Sequence, residues 1–138
     1  MQTLKEYCRQ AVEAGWVWVA LKYNLTGDPP PVKYSTTCNF AKFHVNLGRV
    51  VVRLDVRARV WLTYKKPTVG LWANAVPCTL RESVTLQAVH EFTHYAQYAT
   101  TDRSRNPVKY SEVEATQNEI EYAKVNYPHL YKKLEVVK

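Results

Sequence analysis

His90, Glu91 and His94 are the residues of this 138-residue chain whose types and spacing point to a reaction. Residues four apart on an α-helix lie one above the other, so His90 and His94 can each offer an imidazole nitrogen to a single metal ion. Glu91 is turned about a quarter of the way round, where it stays off the metal and reaches a nearby water as general base. The stretch His90-Glu91-Phe92-Thr93-His94 is therefore read as a hydrolytic zinc site, with metal and carboxylate together turning water into a nucleophile.

A catalytic zinc takes three protein ligands and keeps a fourth position open. His129 follows Pro128 near the end of the last predicted helix and is one candidate for the missing ligand. Glu112 and Glu114, in Ser111-Glu112-Val113-Glu114-Ala115, are better candidates, because a helix starting there can cross the one that carries the histidines. Tyr95, Tyr98 and Tyr110 are available as donors to an oxyanion. Cys78 precedes the motif and offers a thiolate that could silence the metal, against the ordinary role of a small buried hydrophobe.

The elements that must position these groups are legible in the periodicity. Leu4, Cys8, Ala11, Val12, Val19 and Tyr23 recur at helical spacing and predict an amphipathic helix from about Thr3 to Tyr23, weakened in its middle by Gly15. Asn24 to Pro31 ends it, with three prolines and Gly27. From Asn39 the period changes to two. Ala41, Phe43, Val45 and Leu47 face one side, a turn follows over residues 46–48, and a second strand is expected from Val50 to Leu62. Its outer stripe would be Arg53, Asp55, Arg57, Arg59 and Trp61. Such a stripe can track a phosphate backbone, although a half-exposed strand needs a polar face in any case. Val69 to Val76, closed by Pro77, predicts a short third strand with an approachable backbone. Thr79 and Glu82 have capping-box spacing and open a helix running to about Ala99, with the histidine motif well inside it. Ser111 reads as the N-cap of a last helix, Glu112 to about Asn126. Ser111 and Glu114 also have capping-box spacing, which gives Glu114 an ordinary structural task.

Composition sets the frame. The length suits one domain, 1–138, with its own core, and 46% apolar residues fit a folded globule. No apolar run is long enough to cross a bilayer and the start lacks a signal-peptide layout, so the expected location is the cytoplasm, with no membrane contact. Cys8, Cys38 and Cys78 are odd in number and widely spaced, which indicates reduced thiols and no disulfide framework. A net charge of +7 favours an acidic partner. The basic residues are dispersed, so nucleic acid stands as an alternative partner behind a protein or peptide substrate.

From about Phe40 to Tyr122, the order hairpin, short edge strand, HExxH helix, loop and glutamate-bearing helix resembles the zincin metallopeptidases, specifically a pared-down gluzincin. The specific parts are His90-Glu91-Phe92-Thr93-His94 and the downstream Glu112-Val113-Glu114-Ala115. The resemblance implies an α+β fold with an N-terminal helix and a small, mostly antiparallel three-stranded sheet. It implies zinc held by His90, His94 and Glu112, with Ala115 letting the two helices approach. Glu91 would be the general base of peptide hydrolysis, and Tyr110, nearest the third ligand in sequence, is taken as the oxyanion donor. The third strand, around Leu71 to Ala75, would pair with an extended peptide. Glu114 competes with Glu112, because Glu114-Ala115 with Asn118 four residues on matches a thermolysin-like arrangement in which the later residue supports a histidine. The opening helix, small sheet and HExxH helix also resemble SprT-type proteases, which act near DNA, but the chain lacks their third histidine close after the motif. A further alternative is a basic nucleic-acid- or protein-binding module with a structural or idle zinc.

Overall fold

Two capping boxes and a serine cap fix where the long helices begin. The computed structural model describes residues 2–36, 41–46 and 49–136. Thr3 and Glu6 close a reciprocal box at the start of α1 (Leu4–Tyr23), and Thr79 and Glu82 do the same for α2 (Leu80–Ala99). Each box satisfies amide donors that a helix start would otherwise leave bare. The Ser111 hydroxyl accepts from the Glu114 amide and opens α3 (Glu112–Asn126). These three helices stand where the sequence placed them. A fourth, α4 (Pro128–Val136), follows at once. The helix to about Asn126 was expected to be the last; instead Pro128 begins another, where a missing N–H leaves no bond unmade.

Strands β1 (Val32–Ser35), β2 (Lys42–Asn46) and β3 (Arg49–Asp55) form a mixed sheet in the order β1-β3-β2. β2 is antiparallel to β3, as the hairpin expectation required, and β1 is parallel to it. β4 (Val60–Lys66) and β5 (Leu71–Pro77) make a separate antiparallel pair. The fold is α+β, with a three-stranded mixed sheet and a two-stranded one in place of the expected single, mostly antiparallel sheet.

The run from Val50 to Leu62 is not one strand. Asp55 Oδ1 accepts the Arg57 amide at 2.8 Å, which turns the chain. Gln87 of α2 grips the same residue, accepting the Asp55 amide at 2.8 Å and donating to its carbonyl at 3.0 Å. Beyond the turn the alternation inverts. Val52, Leu54 and Val56 are buried, but in β4 it is Trp61 and Thr63 that are buried, while Val60 is 39% exposed. The outer stripe predicted from Arg53 to Trp61 is thus interrupted, and its tryptophan is inside. Phe40, Leu47 and Gly48, assigned to the first hairpin, and Cys38 lie outside the described residues.

α2 forms the centre of the core. Val84, Leu86, Ala88, Val89, Phe92 and Ala96 are fully buried, packed between α1, α3 and the inner face of β3. Gly15 lets α1 come close: a Cβ there would stand 3.1 Å from Ala88 Cβ and 3.3 Å from the Thr85 carbonyl oxygen. What reads in sequence as a weak point of α1 is the contact that seats it on α2. Among the described residues no helix is long and apolar enough to cross a membrane.

Candidate metal centre

Packing fixes the rotation of α2 about its axis. Phe92 is fully buried and meets Trp16 of α1 edge to face at 5.2 Å, on the side of the helix opposite His90 and His94. Thr93 Oγ1 accepts from Asn118 of α3 at 2.9 Å, which ties the third side of the motif to the next helix. The two histidines, with ring centroids 5.0 Å apart, are left facing α3 and the cleft.

His90, Glu91 and His94 bring their ligand atoms within 4.8 Å of one another, a group able to hold a metal ion. Glu112 comes closer to both imidazoles than Glu91 does. One Glu112 oxygen lies 3.1 Å from His90 Nε2 and the other 2.7 Å from His94 Nε2, whereas Glu91 approaches His90 Nε2 only to 3.9 Å. Both Nε2 atoms therefore converge on the Glu112 carboxylate, and Glu91 stands beside them in the wall of the cleft. Ala115, one turn on from Glu112, is fully buried where α2 and α3 pack.

Each histidine is oriented by a second partner. His94 Nδ1 donates to Gln97 Oε1 at 2.9 Å, which turns Nε2 toward Glu112. Gln97 is itself held, donating to the Ser111 carbonyl and to Glu114 Oε1, both at 3.1 Å. His90 Nδ1 lies 3.4 Å from Glu119, a buried carboxylate two turns along α3 from Glu112. Glu114 is committed elsewhere: it accepts from Gln97 and, at 3.0 Å, from Tyr23. The Ser111 amide goes to Gln97 Oε1, so the capping box expected of Glu114 is only half made. Asn118 supports no histidine; it binds Thr93 and Tyr23 and accepts from Lys22.

Electrostatics follow from this crowding. Burial alone lowers the pKa of His90, but Glu119, Glu112 and Glu91 outweigh it and hold the imidazole well above its ordinary range. Burial also lowers His94, and hydrogen bonds to Glu112 and Gln97 raise it more. The histidine hydrogen bonds hold Glu112 far below the usual carboxylate range. Burial pushes Glu91 up to about 6 despite the neighbouring imidazoles, into the range of a working general base. Burial also raises Glu119.

The group opens into a cleft of about 830 Å³. One wall comes from β2 and β3, with Lys42, Phe43, His44 and Arg53. The other comes from β4, with Val60, Trp61, Leu62 and Tyr64. The strand expected to border the site, β5, pairs with β4 and gives no residue to the cleft among the described residues. Tyr110 stands at the rim, its ring 5.9 Å from His94 and 5.7 Å from Phe43. Tyr95 packs on Trp16 and Tyr98 lies under Arg103. His129 pairs with Glu82 at the start of α2. Burial, then Glu82, pushes the Cys78 thiol up to about 11, and neither His129 nor Cys78 belongs to the group that His90, Glu91 and His94 form.

Sequence reasoning missed Glu119, Gln97 and Tyr64. Glu119 follows Glu112 by seven residues, a spacing that returns to the same helix face, and Gln97 follows His94 by three; both signals were present. Tyr64 is raised by burial and by Glu112, Glu119 and Glu91, which it reaches only because β4 folds back over α2. No protein-family model, curated protein or solved structure matches the chain.

Proposed function

We propose that the protein is a zinc-dependent metallopeptidase of reduced, gluzincin-like form, with His90, His94 and Glu112 as ligands. The observation that carries this reading is the convergence of both Nε2 atoms on one carboxylate, with a separate buried carboxylate, Glu91, beside them in the cleft. Two imidazoles and a carboxylate are a donor set that catalytic zinc takes, with a further position left for substrate. A purely structural site would not need Glu91. Zinc bound there supplies Lewis acidity, polarising a carbonyl and lowering the pKa of water toward about 7.

The chain's own residues do the rest. Glu91, poised near 6, takes a proton from the attacking water and returns it to the leaving nitrogen. Gln97 and Glu119 keep the two rings aimed. Tyr110 at the rim is the assigned donor to the oxyanion, and Tyr64 on the opposite wall faces the same carboxylates. The strand that receives an extended peptide is β2, whose outer edge pairs with no strand among the described residues. Metal analysis of the purified protein and of Glu91→Gln tests the assignment. Zinc is expected in both, with cleavage of protein substrates or self-cleavage only in the first; cleavage that persists in Glu91→Gln rejects the role of Glu91.

A further inference from the structure

The parallel pairing of β1 with β3 creates a feature that no single strand shows. Arg53 has Lys33 as its register partner on one side and Lys42 on the other. Its chain neighbours Val52 and Leu54 are fully buried, so Arg53 and both partners project from the opposite face of the sheet. Three cations thus stand in one row, about 4.8 Å between strands. Like charges directly across a sheet oppose its formation. None of the three has an ion-pair partner among the described residues. The one carboxylate on that face, Asp55, is buried and occupied by Arg57.

The row ends at β2, the edge strand of the cleft, and Arg53, Lys42 and His44 line that cleft together with the metal group. On the facing wall the Trp61 Nε1–H is buried without an acceptor among the described residues. Away from the carboxylates around the histidines, the cleft presents donors and positive charge that no group among the described residues answers. A segment extended along β2 would set alternate side chains, about 6.6–6.8 Å apart, opposite Lys42 and His44.

We propose that Lys42, Arg53 and His44 bind an acidic stretch of the protein substrate and so select polypeptides with acidic residues at alternate positions beside the cut. This rests on the peptidase reading for the cut itself, while the charge selection is separable from it. A nucleic-acid strand is the less suited anion, because among the described residues of β1, β2 and β3 no phenylalanine, tyrosine or tryptophan shares that sheet face for bases to stack on.

The test uses labelled peptides of one length and one apolar framework carrying glutamate, glutamine or lysine at alternate positions, titrated into the Glu91→Gln protein with zinc present. The glutamate peptide is expected to bind roughly tenfold more tightly than the glutamine peptide, with a margin that shrinks as salt rises. The double variant Lys42→Glu with Arg53→Glu should reverse the order in favour of lysine. Should its thermal melt show a disrupted fold, the milder Lys42→Gln with Arg53→Gln should abolish the margin instead. Equal binding of the glutamate and glutamine peptides, or a margin that survives these substitutions, overturns the proposal. So does a single-stranded oligonucleotide that outcompetes the glutamate peptide and is released by the same substitutions. Mixing the glutamate peptide with the unsubstituted protein and zinc separates the two readings: binding without cleavage rejects the peptidase and leaves the acidic selection standing.

Discussion

Replacing Glu112 and Glu114, one at a time, by glutamine separates the ligand from its neighbour. Glu112 touches both metal-facing nitrogens, at 3.1 and 2.7 Å, and its side chain is 45% exposed, so its replacement opens no core cavity. Loss of a contact that merely orients a zinc ligand weakens binding by roughly 10- to 100-fold. A coordinating oxygen should count for more, so Glu112→Gln is expected to lose more than about 100-fold, or about 2.7 kcal/mol. Glu114 is different, with each oxygen already accepting from a protein donor, Gln97 or Tyr23. An amide nitrogen in place of one oxygen leaves a donor unmatched, which should lower stability by about 1–3 kcal/mol. Its effect on zinc comes only through Gln97 and His94 and should stay within about tenfold. Competition with a chelating dye reads the affinities, and urea unfolding in chelator reads the metal-free stability. A Glu114→Gln protein that loses zinc while Glu112→Gln keeps it would refute the ligand assignment.

Three further outcomes are expected. Glu119→Gln should weaken zinc binding by roughly 10- to 100-fold through the orientation of His90; unchanged affinity in the dye assay removes its supporting role. In chelator, His90 and His94 carry pKa values that burial lowers and the surrounding partners raise above the ordinary value. A raised histidine favours folding fully below its unfolded value of about 6.5, and that share is lost as pH rises through the folded values. The metal-free melting temperature should therefore fall from mildly acidic to alkaline pH while zinc binding tightens; a metal-free melt that rises with pH contradicts the cluster's electrostatics. Gly15→Ala should destabilise by about 1–2 kcal/mol, because overpacking against Ala88 and Thr85 outweighs the alanine helix preference of about 0.5–1 kcal/mol. Urea unfolding that shows a more stable variant would mean that α1 yields at this contact.

What could be read from the sequence divides along local and distant causes. Helix starts at Thr3, Thr79 and Ser111 rest on side chains bonding amides three residues away, and those were legible. The metal-facing pair follows from helical period alone. The strand from Val50 to Leu62 misled because alternation carries no signal for a turn made by Asp55 and clamped by Gln87, thirty-two residues away. β1 follows a proline run and gains its strand character from a parallel partner. Which glutamate meets the histidines depended on the crossing of α2 and α3, and the capping role assigned to Glu114 gave way to Gln97 and Tyr23.

Gln87 stands one helical turn before His90 and holds the main chain of Asp55 by both its amide and its carbonyl. The link from β3 to β4 thus starts from the same rigid rod that carries the two histidines. In mechanical terms α2 is the anvil and the β4–β5 pair the jaw. Tension applied to the jaw along the main chain meets, at Asp55, two hydrogen bonds to α2 before it reaches β3.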